Sequence, residues 1–328
     1  MNTRPLITTE PLAMPNAIAA LRQDAWLALL PTLFLALAAT APALSDYALE
    51  IGFRMMVLLT LAEAWNLLAG YGGLVSLGTA SFVGIGAYAL TGLMNQGHAP
   101  YPVAIVAGGV TAAVLALLVS KAVFRLRGLY FTVGTLALAE ALRLFMVNYQ
   151  GFGGATGLFL AVDPPPPKVL FWSALAVLAV ATAAMSLATG SRFSILLRAV
   201  RDDEDAAAQI GVRPFRVKLA AFLLASFLMG LAGAAQGLKL GAIEPYGMFG
   251  MAWTVNVLSV VIIGGQGWRA GPLVGTVFVV ALSELLADYP ALHLAITGVL
   301  LILVIRFAPQ GLVGLVTNAW RRHRGAAR

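Results

Sequence analysis

Long apolar runs follow one another along most of the chain, separated by short polar stretches. A helix needs roughly 20 apolar residues to cross the hydrocarbon core of a bilayer, with a range of about 17–25. The pattern therefore predicts an all-α, polytopic transmembrane helical bundle of about ten spans. The predicted spans are 26–44, 51–70, 76–95, 102–124, 128–148, 169–189, 217–239, 251–267, 271–287 and 292–308. The third, eighth and ninth are short, glycine-rich or closely abutted, so each could instead be a re-entrant or broken helix.

The distribution of basic residues gives an independent test of this topology. Cytoplasmic loops of membrane proteins carry an excess of Lys and Arg. If both termini are cytoplasmic, all but four of the 21 Lys and Arg fall on the cytoplasmic side. We therefore expect a cytoplasmic N-terminal segment at 1–25, a transmembrane domain at 26–316 and a basic cytoplasmic tail at 317–328.

Composition agrees with a membrane protein. Of the 328 residues, 60% are hydrophobic and 11% are charged, and the mean hydropathy is +0.88. Soluble domains carry about 25% charged residues, so lipid must be the main solvent of this chain. The net charge of +7 then reflects topology. Nucleic acid is not an expected partner, because no basic patch is interleaved with exposed aromatic residues.

Several kinds of chemistry have no support in the sequence. The chain has no cysteine, which removes disulfides and thiolate sites. Its three histidines are far apart, and no G-x-x-x-x-G-K-[ST] phosphate loop occurs. We expect no cofactor, no metal and no enzymatic activity. If ATP drives transport, a separate subunit must bind it.

The longest polar stretch between two spans is 191–218, which has features of a helix outside the membrane. Acidic residues at Asp202–Asp205 suit the positive end of a helix dipole, and the alanines that follow are good helix formers. Gly211 is placed as a left-handed C-terminal cap, and Pro214 lies just beyond it. The pattern predicts a short helix over 202–212.

Two interpretations of this segment remain open at this point. It could be a solvated connecting loop, as most charge runs are. Alternatively, a short capped helix flanked by apolar residues such as Ile195 and Ile210 would suit docking into a groove on a partner protein.

The segment 70–92 is rich in glycine and small residues. The spacing Ser76-x-x-x-Ala80-x-x-x-Gly84 would let helix backbones approach closely. So many glycines also favour a broken helix, and irregular backbone at membrane depth is tolerated only against protein or a wet cavity. Tight packing and a path-lining break are both open and mutually compatible.

Three carboxylates, Glu63, Glu140 and Glu284, fall inside predicted spans, where charged groups usually face protein or water. Glu140 and Arg143 are three residues apart on one helix and are predicted to pair. Glu63 has no basic residue near it in sequence. A proton-coupled transporter would need such a carboxylate, so a stand-alone ion-coupled transporter or channel is the alternative function.

Other polar residues within the spans are candidates to line a solute path, although each could equally make an interhelical hydrogen bond. With Glu63, the path candidates are Asn66, Ser76, Thr79, Ser81, Gln236 and Asn256.

Four blocks of sequence resemble one known family. They are WNLLAGYGGLVSLGTASFVGIGAYAL (65–90), GLYFTVGTLALAEALRL (128–144), RAVRDDEDAAAQIGV (198–212) and RFAPQGLVGL (306–315). In this order they look like the LivM-type permeases of branched-chain amino acid ABC importers, over about residues 50–316. The resemblance is less specific to substrate, because the same family also serves urea, short-chain amides and aromatic acids.

The resemblance implies a permease subunit of the bacterial inner membrane. Its expected partners are a second, LivH-type permease, two ATP-binding subunits and a periplasmic substrate-binding protein. It also implies that the 202–212 helix couples the permease to the ATPase and that 70–92 forms a wall of the translocation path. The implied ATPase-coupling residues are Arg198, Arg201, Asp202, Asp203, Glu204, Asp205, Gly211 and Val212.

Overall fold

The protein, described here from a computed structural model, is an all-α helical bundle. The structure describes residues 36–287 together with 34, 296, 298–299, 301–304, 306 and 311–315. The predicted segments 1–25 and 317–328 lie outside the described residues, as does about half of each of the predicted spans 26–44 and 292–308. The ten-span count and the cytoplasmic termini therefore stay predictions.

Eleven helices are labelled here in chain order. They are α1 (Asp46–Asn66), α2 (Thr79–Gly97), α3 (Tyr101–Val123), α4 (Leu129–Asn148), α5 (Pro167–Gly190), α6 (Arg192–Asp202), α7 (Glu204–Gln209), α8 (Pro214–Leu240), α9 (Pro245–Met248), α10 (Met251–Gly264) and α11 (Gly271–Leu285). A π-helical turn, Leu67–Tyr71, extends α1. Short 3-10 turns lie at Ala41–Ala43, Gln150–Phe152 and Gly154–Thr156.

The eight predicted spans that fall on described residues each coincide with a helix, with ends shifted by a few residues. Among the residues that the structure describes, six helical segments are long and apolar enough to cross a membrane: Asp46–Tyr71, Tyr101–Val123, Leu129–Asn148, Pro167–Gly190, Pro214–Leu240 and Pro245–Gly264. Helices α2 and α11, at the third and ninth predicted spans, are not among these six. The end of the bundle that carries residues 191–218 is called the inner end below, and the opposite end the outer end.

Helix α8 lies at the centre of the bundle and packs against α1, α2, α3 and α5. Small residues permit its closest approaches. A Cβ atom on Gly86 of α2 would lie 2.2 Å from the carbonyl oxygen of Gly230 in α8. Large side chains fill the remaining space, and the rings of Phe82 and Phe222 meet edge to face at 5.5 Å. Because lipid is as apolar as these side chains, such close packing is the main force that holds the helices together.

The glycine-rich segment contains both irregular backbone and close packing, whereas its place along a solute path stays a prediction. Residues 72–78, called the strap below, are irregular backbone, and α2 then runs unbroken from Thr79 to Gly97. Ser76 therefore lies before the helix, and the predicted helical spacing Ser76-Ala80-Gly84 is wrong in its first member. Further along α2, Gly84 lies against the ring of Phe249, where a Cβ would be 2.4 Å from the ring.

At the outer end, a short antiparallel ladder pairs β1 (Leu158–Phe159) with β2 (Ala242–Ile243). The sequence pattern did not predict this ladder, since two-residue strands leave no periodicity. On the same side, Glu284 of α11 pairs with Arg54 of α1 at 3.0 Å and accepts a hydrogen bond from Tyr47 at 2.7 Å. These contacts join α1 to α11.

Candidate functional site

The segment 191–218 forms two helices, not the single one expected. Ser191 caps α6 by accepting a hydrogen bond from the Phe193 amide at 3.3 Å. Asp202 is the last residue of α6, so its predicted place in the 202–212 helix is wrong. Asp203 is the N-cap of α7, and its side chain accepts hydrogen bonds from the amides of Asp205 and Ala206. Together, α6 and α7 are called the docking element below.

The predicted C-terminal cap at Gly211 is confirmed. Gly211 has φ +89°, and its amide donates to the Ala208 carbonyl oxygen at 3.1 Å. The amide of Val212 donates to the Ala207 carbonyl oxygen at 3.1 Å. This pair of bonds is the Schellman arrangement, which satisfies the last carbonyls of a helix. A six-residue helix capped at both ends is a defined shape rather than a loose loop.

Several polar contacts fasten the docking element to the bundle. Arg201 donates to the carbonyl oxygen of Gly70 at 3.0 Å, and the Arg198 guanidinium lies over the Tyr71 ring at 5.2 Å. Glu204 pairs with Lys218 at the start of α8, and Lys218 is buried. Because Gly70 and Tyr71 belong to the π-helical turn, these contacts connect α6 to the end of α1.

The strap follows the π-helical turn and is hydrogen-bonded to two helices of the bundle. The Leu77 amide donates to Thr135 of α4 at 2.9 Å, and Thr132 of α4 donates to the Val75 carbonyl oxygen at 2.8 Å. On the other side, Thr254 of α10 donates to the Leu77 carbonyl oxygen at 3.1 Å. The strap thus links the inner end to α4 and α10 through its own peptide groups.

The docking element also displays apolar side chains to solvent. Ile210, just after α7, is 79% exposed, and Ile195 of α6 is 68% exposed. Leu197 and Val200, on the opposite face of α6, are buried against the bundle. An isolated apolar residue on a surface is ordinary. Two at the tips of a rigid polar element, at the end expected to lie in water, form a surface suited to a partner protein.

The predicted path residues do not converge on one lining. Glu63 is half-buried between α1 and α5, where Thr182 donates to its two oxygens at 3.2 and 3.3 Å. Gln236 of α8 is half-buried, and Asn256 of α10 is exposed. Their assignment to a solute path stays a prediction.

The other predicted path residues are buried near the strap. Asn66 accepts from the Gly267 amide at 2.8 Å and donates to the Trp268 carbonyl oxygen at 3.1 Å, so its amide holds the turn between α10 and α11. Ser76 accepts from the Gly78 amide. The hydroxyls of Thr79 and Ser81 are fully buried and have no hydrogen-bond partner among the described residues.

A cavity of about 320 Å³ opens at the outer end, away from these residues. Glu50 and Lys239, which pair at 2.8 Å, lie at its wall. It contains none of the predicted path residues. The cavity is lined by Asp46, Tyr47, Leu49, Glu50, Phe53, Pro167, Leu170 and Lys239.

Helical spacing correctly predicts that Glu140 and Arg143 pair, but it does not indicate where the pair points. Arg143 Nε lies 2.9 Å from Glu140 Oε2, which confirms the predicted pair. The pair sits on the outward face of α4, and the Glu140 side chain is 52% exposed. The sequence shows a charged pair within an apolar helix. Which way that helix face points depends on packing.

These observations define the class of the protein. It is a multi-pass membrane protein built as a helical bundle, with a rigid polar element at its inner end. The family described as "Branched-chain amino acid transport system / permease component" matches residues 47–305. The chain therefore belongs to this family of transport permeases.

Two curated relatives are similar over most of their length. They are the high-affinity branched-chain amino acid transport system permease proteins LivM of Escherichia coli and of Salmonella typhimurium. Each is 26% identical over 310 residues, which cover 85% of this chain and 73% of the relative. No solved structure gives a significant match.

Proposed function

We propose that this chain is a membrane-spanning permease subunit of an ATP-driven importer of the bacterial inner membrane. It would carry branched-chain amino acids or a related small solute such as urea, an amide or an aromatic acid. Its partners would be a second, LivH-type permease, two ATPase subunits and a periplasmic binding protein that delivers the solute. Membership of the permease family supports this proposal.

The observation that carries the ATP-driven assignment is the docking element. A carrier that works alone has no need of a capped, outward-facing helix pair at its inner end. Within this element we assign different tasks to different residues. Arg198, Arg201 and Glu204 fasten it to the bundle, whereas Ile195 and Ile210 face the ATPase.

The contacts also suggest how ATPase movement would reach the solute. Closure of the two ATPases would push on α6 and α7, and the Arg201–Gly70 hydrogen bond would transmit this displacement to the π-helical turn. The strap follows directly and is bonded to α4 and α10. Movement of these two helices relative to one another would then open the path alternately to each side, as alternating access requires.

The variant Ile210→Glu tests the docking assignment. The side chain is 79% exposed, so a carboxylate there costs the fold little but opposes an apolar contact with a partner. We expect at least a tenfold loss of ATPase subunits co-eluting in mild detergent and a matching loss of uptake, with normal membrane insertion. Ile210→Leu is the matched control and should retain both. Unchanged co-elution of the Ile210→Glu variant would refute the assignment.

The competing function, an ion-coupled carrier, rests on Glu63, which lies at membrane depth and is hydrogen-bonded to Thr182. Glu63→Gln keeps the shape of the side chain but can neither take up nor release a proton. We expect ATP-dependent uptake in proteoliposomes to fall less than threefold in this variant. Active uptake by the purified chain alone, driven by a proton gradient and abolished by Glu63→Gln, would establish the carrier instead.

A further inference from the structure

Four exposed cations lie where the inner ends of α3 and α8 meet. The rings of Phe124, just after α3, and Phe215, at the start of α8, contact edge to face with centroids 5.8 Å apart. This contact places the end of one helix beside the beginning of the other. The cations flank the two rings along the chain and are called the basic corner below. They are Lys121, Arg125, Arg213 and Arg216.

No carboxylate among the described residues neutralises the basic corner. None of its four side chains forms an ion pair there. The carboxylates of the neighbouring docking element all have other partners. Asp202 pairs with Arg201, Asp203 caps α7, Glu204 pairs with Lys218, and Asp205 pairs with Arg127. The positive charge of the basic corner is therefore left for an anion from outside the chain.

The start of α8 adds to this positive charge. The helix is 27 residues long, has no acidic residue in its first turn, and receives no side-chain cap from Arg213. The N-terminal end of a helix carries a partial positive charge that favours anions and disfavours cations. Arg213 and Arg216 thus stand at the unfavourable end of their helix, where a bound anion would offset both their charge and the dipole.

An apolar surface leads directly to the basic corner. Val110, Val114, Leu118 and Lys121 of α3 are exposed and recur every three or four positions, so they share one helix face. Arg125 continues this spacing just past the last residue of α3. The face is apolar at membrane depth and basic at the inner end, where long cationic side chains reach the level of lipid headgroups.

We propose that the basic corner binds the phosphate headgroup of an anionic phospholipid, whose acyl chains lie on the outward face of α3. Basic clusters between helices at the membrane surface suit such headgroups. A lipid suits this site better than a soluble phosphate, because the apolar face continues directly from the cations. Since α3 and α8 each supply cations, one headgroup would also hold the two helix ends together. This inference goes beyond the proposed transport function and does not depend on it.

Native mass spectrometry of the full chain tests the site. The chain is purified in mild detergent with equal amounts of phosphatidylglycerol, which is anionic, and phosphatidylcholine, which has no net charge. We expect at least fivefold more retained phosphatidylglycerol. The double variant Arg125→Gln/Arg216→Gln, with one change at each helix end, should reduce this preference to less than twofold.

Two control variants separate a defined site from general attraction by positive charge. Arg125→Lys/Arg216→Lys keeps the charge and should retain the preference. Arg192→Gln removes an exposed cation from the start of α6, at the same end of the bundle, and should also retain it. Equal retention of both lipids by the unmodified chain, or an equal loss of preference in Arg192→Gln and the double Gln variant, would overturn the proposed site.

Thermal unfolding in mixed micelles identifies the source of the phosphate. A ligand that binds only the folded state raises the unfolding midpoint. We expect phosphatidylglycerol to raise the midpoint of the unmodified chain but not that of the double Gln variant, and inorganic phosphate to raise neither. An equal rise with inorganic phosphate would assign the site to a soluble anion and overturn the lipid. Neither measurement needs an ATPase, so failure of the ATP-driven assignment leaves this test unaffected.

Discussion

Helices α3 and α4 follow one another in the chain and both expose a long face, but the two faces require different surroundings. The outward face of α3 presents Val103, Val106, Val110, Val114 and Leu117, all apolar. The outward face of α4 presents aromatic and aliphatic residues interrupted by an ion pair. Exposure alone therefore does not identify lipid contact. The chemistry of the exposed positions distinguishes a lipid-facing helix from one that needs protein or water.

Their inward faces differ as well. Gly108 and Gly109 let α3 approach α2 and α8 so closely that a Cβ on Gly108 would lie 2.8 Å from the Gly86 carbonyl oxygen. Helix α4 rests on α2, α3 and the outer loops over a smaller area. Helix α3 is therefore held firmly by contacts within the chain, whereas α4 is held more loosely. A loosely held helix bonded to the strap is a suitable moving part.

The largest expected effect comes from placing a charge on each outward face. Val114→Glu would put a carboxylate against lipid on α3, at a cost of about 2.5–3.5 kcal/mol. Ala137→Glu would add the same group to the α4 face that already carries the exposed Glu140 side chain, and should cost under about 1 kcal/mol. Unfolding titrations in mixed micelles, together with the yield of inserted protein, measure both. Equal losses of stability in the two variants would show that the outward faces of α3 and α4 do not differ in their surroundings.

The next largest effect on stability is expected from substitutions on the inward faces of α3 and α4. Gly108→Val would overpack the contact of α3 with α2 and should destabilise the bundle by about 1–3 kcal/mol. Gly134→Val on α4 is the control, because the nearest atom to its Cβ is the end of the flexible Leu126 side chain. We expect a lower thermal unfolding midpoint for Gly108→Val but not for Gly134→Val. A comparable drop for Gly134→Val would show that α4 is packed as firmly as α3.

The smallest expected effect is the one that best shows whether water reaches the Glu140–Arg143 pair. A double-mutant cycle of Glu140→Gln and Arg143→Gln measures the coupling of the pair. If water reaches the pair, the coupling should be about 0.2–1 kcal/mol, as for exposed ion pairs. In a dry interface, removing one partner would cost about 3–5 kcal/mol, because a buried charge is left uncompensated. Unfolding of the assembled complex in mixed micelles separates the two cases, and the larger value would exclude a wet surface.

Sequence patterning predicted local structure well where local rules decide it. Apolar run length located the described spans to within a few residues, and the glycine at 211 predicted the cap of α7. The Glu140–Arg143 pair followed from helical spacing alone. The sequence pattern does not predict the separate helix α6, because its apolar residues equally suit the flank of a single helix. Its alternation of buried Leu197 and Val200 with exposed Ile195 becomes meaningful only once a surface exists for them to pack on.

What the sequence by itself determined is the solvent, the class and the family of this protein. A chain with 60% hydrophobic and 11% charged residues must place its surface in lipid, and its motifs match transport permeases. Only the tertiary structure decided that Asn66 holds the turn at 267–268, that Arg201 reaches Gly70, and that Glu140 points outward. These contacts join residues distant in the chain, and helical periodicity fixes which residues share a face without fixing what that face meets.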